Sequence, residues 1–332
     1  MIKVGINGFG RIGKIFFRLS LLEQDIRVVS INDLISAESI YHSMKYDSVH
    51  GLLNVDIKLE SNNIKVNGNV VKIFSKKDPK TIDWDSQNVD LVLESTGIFL
   101  TVEGARNHLV AGAKKVLLSA PPKDNIPMFV YGVNHEDYKD SMKIISNASC
   151  TTNCLAPLAK LLNDCYGIES GVMTTVHSAT ATQNVVDSTS SKNKRLARSV
   201  FNNIIPSTTG AANAVGKIIP DLNGLLTGMA FRVPTSNVSV VDFSVNLKKQ
   251  TSLDEISNLV LSSSFGDMKS VIGLSEDELV SSDYNGDTRT CIFDKNASIK
   301  INNTFFKLVC WYDNEIGYSH KLILMSKLMF NK

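Results

Sequence analysis

Apolar residues along this 332-residue chain recur with two periods, and the alternation of those periods lays out its elements. Residues 2–7, Ile-Lys-Val-Gly-Ile-Asn, read as a short buried strand. A helical period follows in Ile12, Ile15, Phe16, Leu19 and Leu22, and then a second strand from Ile26 to Ile31. Residues 36–47 read as a helix. Polar-interrupted segments with turn signals at Asn62-Asn63 and Asn67-Gly68-Asn69 predict an antiparallel excursion inserted into the first domain. Parallel-type apolar strands return at Val89–Leu93 and Lys115–Leu118, with a helix from Val102 to Ala111 between them. Strands alternating with helices in this way predict an α/β, Rossmann-type domain on a mostly parallel sheet.

The pattern changes near Ser149. A strand-like run, Lys143-Ile144-Ile145, leads into Ser146–Asn153, and Leu155, Leu158, Ala159, Leu161 and Leu162 leave it with helical spacing. A long strand, Gly171 to Val176, ends at His177. The stretch from Ser178 to about Asn193 is rich in Ser, Thr and Asn and has no period; it is too long for an ordinary connection, which marks it as a functional loop. Strands at Gly228–Val233, Val238–Asn246 and Phe305–Trp311, with a helix from Ser252 to about Ser263, predict an α+β domain on a largely antiparallel sheet. The last apolar-periodic run, Ile316 to Met329, predicts a helix. The domain plan is therefore 1–149 and 150–314, with a C-terminal helix in 315–332 packing back on the first domain.

Composition narrows the function classes. Lys+Arg number 35 and Asp+Glu 33, a net charge of +2 that gives no reason to expect a nucleic-acid or membrane partner. No apolar run approaches the roughly 18 residues of a membrane span. The chain opens on a strand pattern without a basic leader, so no signal peptide is expected. Five cysteines (150, 154, 165, 291 and 310) form no CxxC pair or Cys/His ligand spacing, so neither a metal site nor a disulfide framework is predicted, and a reducing, cytoplasmic setting fits.

Two motifs carry chemistry. Gly8-Phe9-Gly10-Arg11-Ile12-Gly13 lies between the first strand and its helix, and Asp33 follows the second strand, 20 positions after Gly13. In this dinucleotide-binding pattern Gly8 allows a tight turn, Gly10 a close approach of pyrophosphate, and Gly13 helix–strand packing. The helix start receives the phosphate charge. The Asp33 carboxylate suits the adenosine ribose hydroxyls and opposes the extra phosphate of NADP, so NAD is the expected cofactor. The second motif is Ser149-Cys150: Ser149 can cap the helix that follows, placing Cys150 in its first turn, where unpaired N–H groups favour a thiolate. His177, at a strand end in the same domain, is the candidate base. A thiolate beside a nicotinamide site suits addition to an aldehyde and formation of a thioester. Thr180-Ala181-Thr182, Ser207-Thr208-Thr209-Gly210 and Arg232 are groups of the kind that hold phosphate. Cys154 and the remaining histidines (42, 50, 108, 135 and 320) read as core or surface residues.

The chain resembles one family along essentially its whole length, the phosphorylating glyceraldehyde-3-phosphate dehydrogenases of glycolysis. The resemblance is carried by Ile6–Gly13, Lys45-Tyr46-Asp47-Ser48, Ser146 to Pro157, Thr174 to Gln183, Ile204 to Gly216, Leu222 to Asp242 and Trp311–Glu315. It implies oxidation of D-glyceraldehyde 3-phosphate to 1,3-bisphosphoglycerate with NAD and inorganic phosphate, in glycolysis and gluconeogenesis, through a hemithioacetal and a thioester on Cys150. Erythrose-4-phosphate dehydrogenase is the alternative; as a family it lacks the Thr-Ala-Thr-Gln and Thr-Thr-Gly stretches. By resemblance Cys150 is the nucleophile and His177 its base. Arg11, Ile12, Asp33, Lys77, Ser119 and Asn314 contact NAD, Asn314 through the nicotinamide carboxamide. Ser149, Thr151, Thr180, Thr182, Arg195, Thr209, Gly210 and Arg232 hold the substrate phosphate and the attacking phosphate. The family is homotetrameric, and its long loop after the catalytic histidine lines a neighbour's cofactor pocket. Departures cluster in that loop: Ser188-Thr189 replaces Gly-Pro or Leu-Pro and resembles NADP-accepting photosynthetic members, while Asp33-Leu34 argues for NAD. Asn193-Lys194 stands before Arg195 in place of Asp-Trp or Asp-Leu, and Ser236 replaces a usual Pro.

Overall fold

The first strand is buried along almost its entire length, Ile2 to Asn7, as a strand covered on both faces must be. It sits inside one of two compact units seen in the computed structural model, which describes residues 1–189 and 193–331. The first unit comprises Met1–Phe129, Glu136–Ala148 and Ser319–Lys332; the second comprises Val130–His135 and Ser149–Tyr318.

In the first unit the chain runs β1 (Ile2–Asn7), α1 (Arg11–Ser20), β2 (Ile26–Asn32), α2 (Ala37–Lys45), β3 (Ile57–Glu60), β4 (Asn63–Val66), β5 (Asn69–Phe74), β6 (Leu91–Glu94), α3 (Val102–Val110), β7 (Lys115–Leu118) and β8 (Ile144–Ser146). The sheet order is β3-β4-β5-β2-β1-β6-β7-β8. All pairs from β5 to β8 are parallel, and only β3/β4 and β4/β5 are antiparallel. This is a Rossmann-type sheet with the antiparallel excursion at its edge. Asn67 (φ +48°) and Gly68 (φ +80°) make the β4–β5 turn, both in the left-handed region that a two-residue hairpin of this twist demands. Ser36 and Thr101 cap α2 and α3. The terminal segment is tied into this unit by Lys115, whose buried Nζ donates to Tyr138 Oη at 2.9 Å, to Asp140 and to the Met329 carbonyl.

The second unit contains α4 (Cys150–Tyr166), β9 (Ile168–His177), β10 (Ile205–Thr208), α5 (Ala211–Ile218), β11 (Leu226–Arg232), β12 (Ser239–Leu247), α6 (Leu253–Phe265), β13 (Ile272–Ser275), β14 (Cys291–Lys300) and β15 (Phe305–Tyr312). Its sheet runs β10-β11-β9-β12-β15-β14-β13. Only β11/β9 and β14/β13 are parallel, so the sheet is largely antiparallel. Burial alternates strictly along β12 and β15, as it does when one face meets a core. Helix α4 packs on β9, β12, β14 and β15, α5 on β11, and α6 on β13 and β14. Pro157 lies inside α4 and has no N–H to give to the carbonyl four residues back. The last helix, α7 (Ile316–Leu328), begins in this unit and continues into the residues of the first.

Three strands, β10, β13 and β14, have no counterpart in the sequence pattern. Proline interrupts β10, β13 is only four residues long, and in β14 the pairing register shifts between Asp294 and Ile299, breaking the two-residue period. The polar loop from Ser178 has neither helix nor strand among its described residues; residues 190–192 lie outside the description.

Candidate active site

Ser149 is the N-cap of α4. Its backbone is extended and its Oγ accepts from the Thr152 N–H at 3.1 Å, so Cys150 is the first helical residue. The imidazole facing it arrives on a different element. His177 ends β9, and the parallel register of β11 puts Arg232 directly opposite it. Cys150 Sγ and His177 Nε2 are 3.5 Å apart, the thiol half-buried and the imidazole only 4% exposed.

Burial pushes the Cys150 thiol up; Arg232, the Thr151 hydroxyl and the N–H groups of Thr151 and Cys150 pull it down without overcoming that cost. The helix start therefore favours the thiolate, as the sequence suggested, but burial outweighs it here. His177 is pulled down to about 3 by burial first and by Arg232 second, against the Ser178 carbonyl. Both shifts favour neutral groups, a thiol facing a neutral imidazole.

His177 Nδ1 has two neighbours that ask for opposite tautomers. The Ser178 carbonyl, 2.8 Å away, can only accept and needs Nδ1–H; the Arg232 guanidinium, 2.6 Å away, can only donate and needs the Nδ1 lone pair. With Ser178 as partner, Nε2 turns a lone pair to the thiol and can act as base. With Arg232 as partner, Nε2 carries the proton.

The glycine-rich turn of the first unit is built by exclusion. A Cβ on Gly13 would stand 2.3 Å from the Gly8 carbonyl oxygen, and one on Gly8 (φ +94°) would stand 2.8 Å from the Thr96 nitrogen. A Cβ on Gly10 would meet nothing within 4 Å, which leaves a space over the start of α1. That start has no side-chain cap and no acidic residue in its first turn, so the N–H groups of Arg11, Ile12 and Gly13 suit an anion. Arg11 offers the backbone for this purpose, because its guanidinium is engaged by Asp47. Burial alone would raise the Asp47 carboxyl, yet Arg11 and the N–H groups of His50 and Val49 hold it well below the usual range. Asp33 Oδ2 accepts from the Phe9 N–H at 2.7 Å, fixing the carboxylate beside the turn. This cradle, the space over a helix start without a side-chain cap and the placed carboxylate, fits a dinucleotide. Lys77 is exposed on the loop after β5, and Ser119 is half-buried at the end of β7.

The other predicted residues lie in the second unit. Thr180 and Thr182 hydroxyls are 3.0 Å apart. Thr209 Oγ1 accepts from the Ala211 N–H at 3.2 Å, and Gly210 is the N-cap of α5, again without a side-chain cap. Arg195 is exposed and lines a cleft of about 460 Å³ with Lys194, Ser207 and Thr208. The Thr151 side chain is buried with Oγ1 2.9 Å from Tyr312 Oη, which leaves its backbone N–H as the group to offer a phosphate. Asn314 Oδ1 accepts from Ser178 Oγ (2.9 Å) and Ser239 Oγ (2.8 Å), which fixes the amide and assigns its Nδ2 to any ligand.

Sequence reasoning assigned nothing to Tyr312, Ser178 or Ser239. Tyr312 Oη also lies 3.0 Å from Thr175 Oγ1, so one phenol braces the helix turn of the thiol and the strand of the base. Thr175 gave the only local signal: two residues before His177 on one strand, it shares that face, and a buried hydroxyl there needs a partner. Cys154, one turn beyond Cys150, is buried beside Cys291 and Cys310 as a packing residue.

Comparison with known proteins agrees with both halves. Residues 2–102 match the family described as glyceraldehyde 3-phosphate dehydrogenase, NAD binding domain, and residues 149–314 its C-terminal domain. The chain is 54% identical over 322 residues to glyceraldehyde-3-phosphate dehydrogenase of Salmonella typhimurium (strain LT2), covering 97% of each. It is 53% identical over 334 residues to that of Bacteroides fragilis (strain YCH46), covering all of both chains, and 53% identical over 322 residues to glyceraldehyde-3-phosphate dehydrogenase A of Escherichia coli (strain K12), covering 97% of each.

Proposed function

The chain belongs to the glyceraldehyde-3-phosphate dehydrogenase family of NAD-dependent oxidoreductases, and from that premise we propose that it oxidises D-glyceraldehyde 3-phosphate to 1,3-bisphosphoglycerate with inorganic phosphate, as a step of glycolysis and gluconeogenesis. The observation that carries the reading is the 3.5 Å approach of Cys150 Sγ to His177 Nε2 at the start of a capped helix.

In this mechanism His177 Nε2 takes the thiol proton as Cys150 Sγ bonds to the aldehyde carbon, and returns it to the aldehyde oxygen, which becomes the hemithioacetal hydroxyl. The hemithioacetal hydroxyl then loses its proton to His177. The chemistry that bound NAD⁺ supplies is acceptance of the hydride whose departure leaves a thioester on Cys150. A phosphate oxygen attacks the thioester carbon, the acyl phosphate forms, and the sulfur leaves as thiolate. Arg232 has a double duty: by moving from His177 Nδ1 to the substrate phosphate it leaves Ser178 as the Nδ1 partner and gives Nε2 its basic lone pair. Ser149, Thr151, Thr180, Thr182, Arg195, Thr209 and Gly210 complete the set assigned to the two phosphates. Gly8, Gly10, Arg11, Ile12, Gly13, Asp33, Lys77 and Ser119 are assigned to the dinucleotide, and Asn314 Nδ2 to the nicotinamide amide. A homotetramer and a cytoplasmic site complete the proposal; five free thiols suit a reducing compartment, and no helix among the described residues is long and apolar enough to cross a membrane.

The test is NADH formation from glyceraldehyde 3-phosphate with and without inorganic phosphate, for the wild type and Cys150→Ser. Phosphate-dependent turnover that Cys150→Ser loses is the expected result; normal turnover in that variant would remove the thioester. Erythrose 4-phosphate and NADP run in parallel decide substrate and cofactor preference.

A further inference from the structure

The first unit buries a carboxylate that the reaction does not use. Glu94, the last residue of β6, and His108 of α3 are both 0% exposed. Glu94 Oε2 accepts from Asn7 Nδ2 at 2.6 Å and from His108 Nε2 at 3.0 Å. Its Oε1 accepts from the Thr96 N–H at 2.8 Å and from the Thr96 hydroxyl. Four donors converge on one carboxylate.

The direction of each bond is fixed from outside. Trp84 Nε1 lies 3.1 Å from His108 Nδ1. An indole N–H only donates, so Nδ1 must hold the lone pair and Nε2 the proton that points at Glu94. On the other side, the Lys76 backbone N–H donates to Asn32 Oδ1 at 2.8 Å, and Asn32 Nδ2 donates to Asn7 Oδ1 at 2.8 Å and to the Lys76 carbonyl at 2.9 Å. That turns Asn7 Nδ2 toward Glu94. From an indole at one end and a main-chain amide at the other, the bonds run donor to acceptor until they end on the carboxylate.

Four members of this chain of bonds share a position. Asn7 precedes Gly8, Asn32 precedes Asp33, Lys76 precedes Lys77, and Glu94 precedes Ser95, whose hydroxyl donates to the Gly8 carbonyl at 2.7 Å. Thr96, held by Glu94, is the residue whose nitrogen closes the space beside Gly8. We propose that Glu94 is a positioning residue for the dinucleotide, a buried carboxylate that sets the mutual placement of four loop ends forming the cradle. The proposal rests on the reading of that cradle as the NAD site. A carboxamide at 94 cannot replace it: with its NH₂ at the Oε2 place it faces the N–H groups of Asn7 and His108, and at the Oε1 place it faces the Thr96 N–H.

The experiment is calorimetric titration of NAD⁺ into the full chain, wild type, Glu94→Gln and Thr96→Val, with Cys150 alkylation by iodoacetamide in the absence of NAD⁺ as a reading of the second unit. Binding by the wild type tests the cradle itself, and its failure sinks that reading before the variants are considered. The expected result is a loss in NAD⁺ affinity of about tenfold or more for Glu94→Gln and about threefold for Thr96→Val, with Cys150 alkylation unchanged. Thr96→Val removes one half-buried hydroxyl and decides the matter alone should Glu94→Gln fail to fold. NAD⁺ affinity within about twofold of wild type in every folded variant overturns the proposal. So does a loss of alkylation in step with affinity, which marks a general folding role.

Discussion

Three glycines spaced two and three positions apart should respond to the same methyl group in opposite ways. At Gly13 the new carbon would stand 2.3 Å from a backbone oxygen and 3.1 Å from Ile6 Cγ2, so Gly13→Ala forces the main chain to move. Overpacking of this kind costs about 1–3 kcal/mol. Gly8→Ala adds a left-handed conformation at φ +94°, roughly 1–2 kcal/mol more for an L residue. At Gly10 the backbone angles (φ −74°, ψ −160°) are open to alanine and the methyl meets nothing within 4 Å. The gain from a less flexible unfolded chain, about 0.4–1 kcal/mol, is offset by alanine's poorer fit at an N-cap, so stability stays nearly constant. The methyl does fill the space over the uncapped helix start, where a pyrophosphate would lie. An affinity loss of about tenfold to a hundredfold, roughly 1.4–2.8 kcal/mol, is expected for NAD⁺. Calorimetric melting and NAD⁺ titration of the three variants separate the effects: Gly8→Ala and Gly13→Ala melt several degrees lower, and Gly10→Ala melts normally but binds weakly. Undiminished binding by Gly10→Ala would refute the cradle, and an undisturbed melt for Gly13→Ala would refute the packing account.

Two more outcomes follow from charges. His177 is held near 3 in the folded chain and titrates near 6.5 when unfolded, so below about 6.5 the unfolded chain binds more protons and stability falls as pH falls. Complete protonation is worth about 5 kcal/mol on this reasoning, and urea melts at pH 7 and pH 4 should show a smaller acid loss for His177→Asn than for the wild type; equal losses would place the acid sensitivity elsewhere. Asp33→Asn keeps an oxygen for the Phe9 N–H and removes the charge facing a 2′-phosphate, so the NADP:NAD affinity ratio should rise about tenfold or more, and an unchanged ratio would take cofactor choice away from this carboxylate.

Elements with a clean period were legible in the sequence: the first strand and its glycine turn, the alternating β12 and β15, and α4 behind its serine cap. The strands that escaped notice lacked that period. β14 changes register around Lys295–Ser298, and β10 carries a proline, which an edge strand tolerates and a periodicity reading rejects. At the site, Cys150 and His177 were nameable from local pattern and family motif, but their 3.5 Å approach depends on how a helix start meets a strand end. Tyr312, Asn7 and Glu94 escaped for a related reason: each acts through partners far along the chain, and no spacing encodes which hydroxyl or amide it will meet.

Pro157 gives α4 a mechanical seam. The turn bearing Cys150 is secured by its own local ties: the Ser149 cap, and the main-chain and side-chain nitrogens of Asn153, both donating to the Ser149 carbonyl. One rung of the ladder joining that turn to the rest of the helix is missing, because proline has no hydrogen to supply it. In the proposed reaction sulfur passes from thiol to tetrahedral adduct to ester, and bond lengths and angles at residue 150 change with it. The missing rung leaves the turns before Pro157 held by the Ser149 ties and by burial of Thr151 to Ala156, while Leu158, Ala159 and Leu162 are buried on the other side of it.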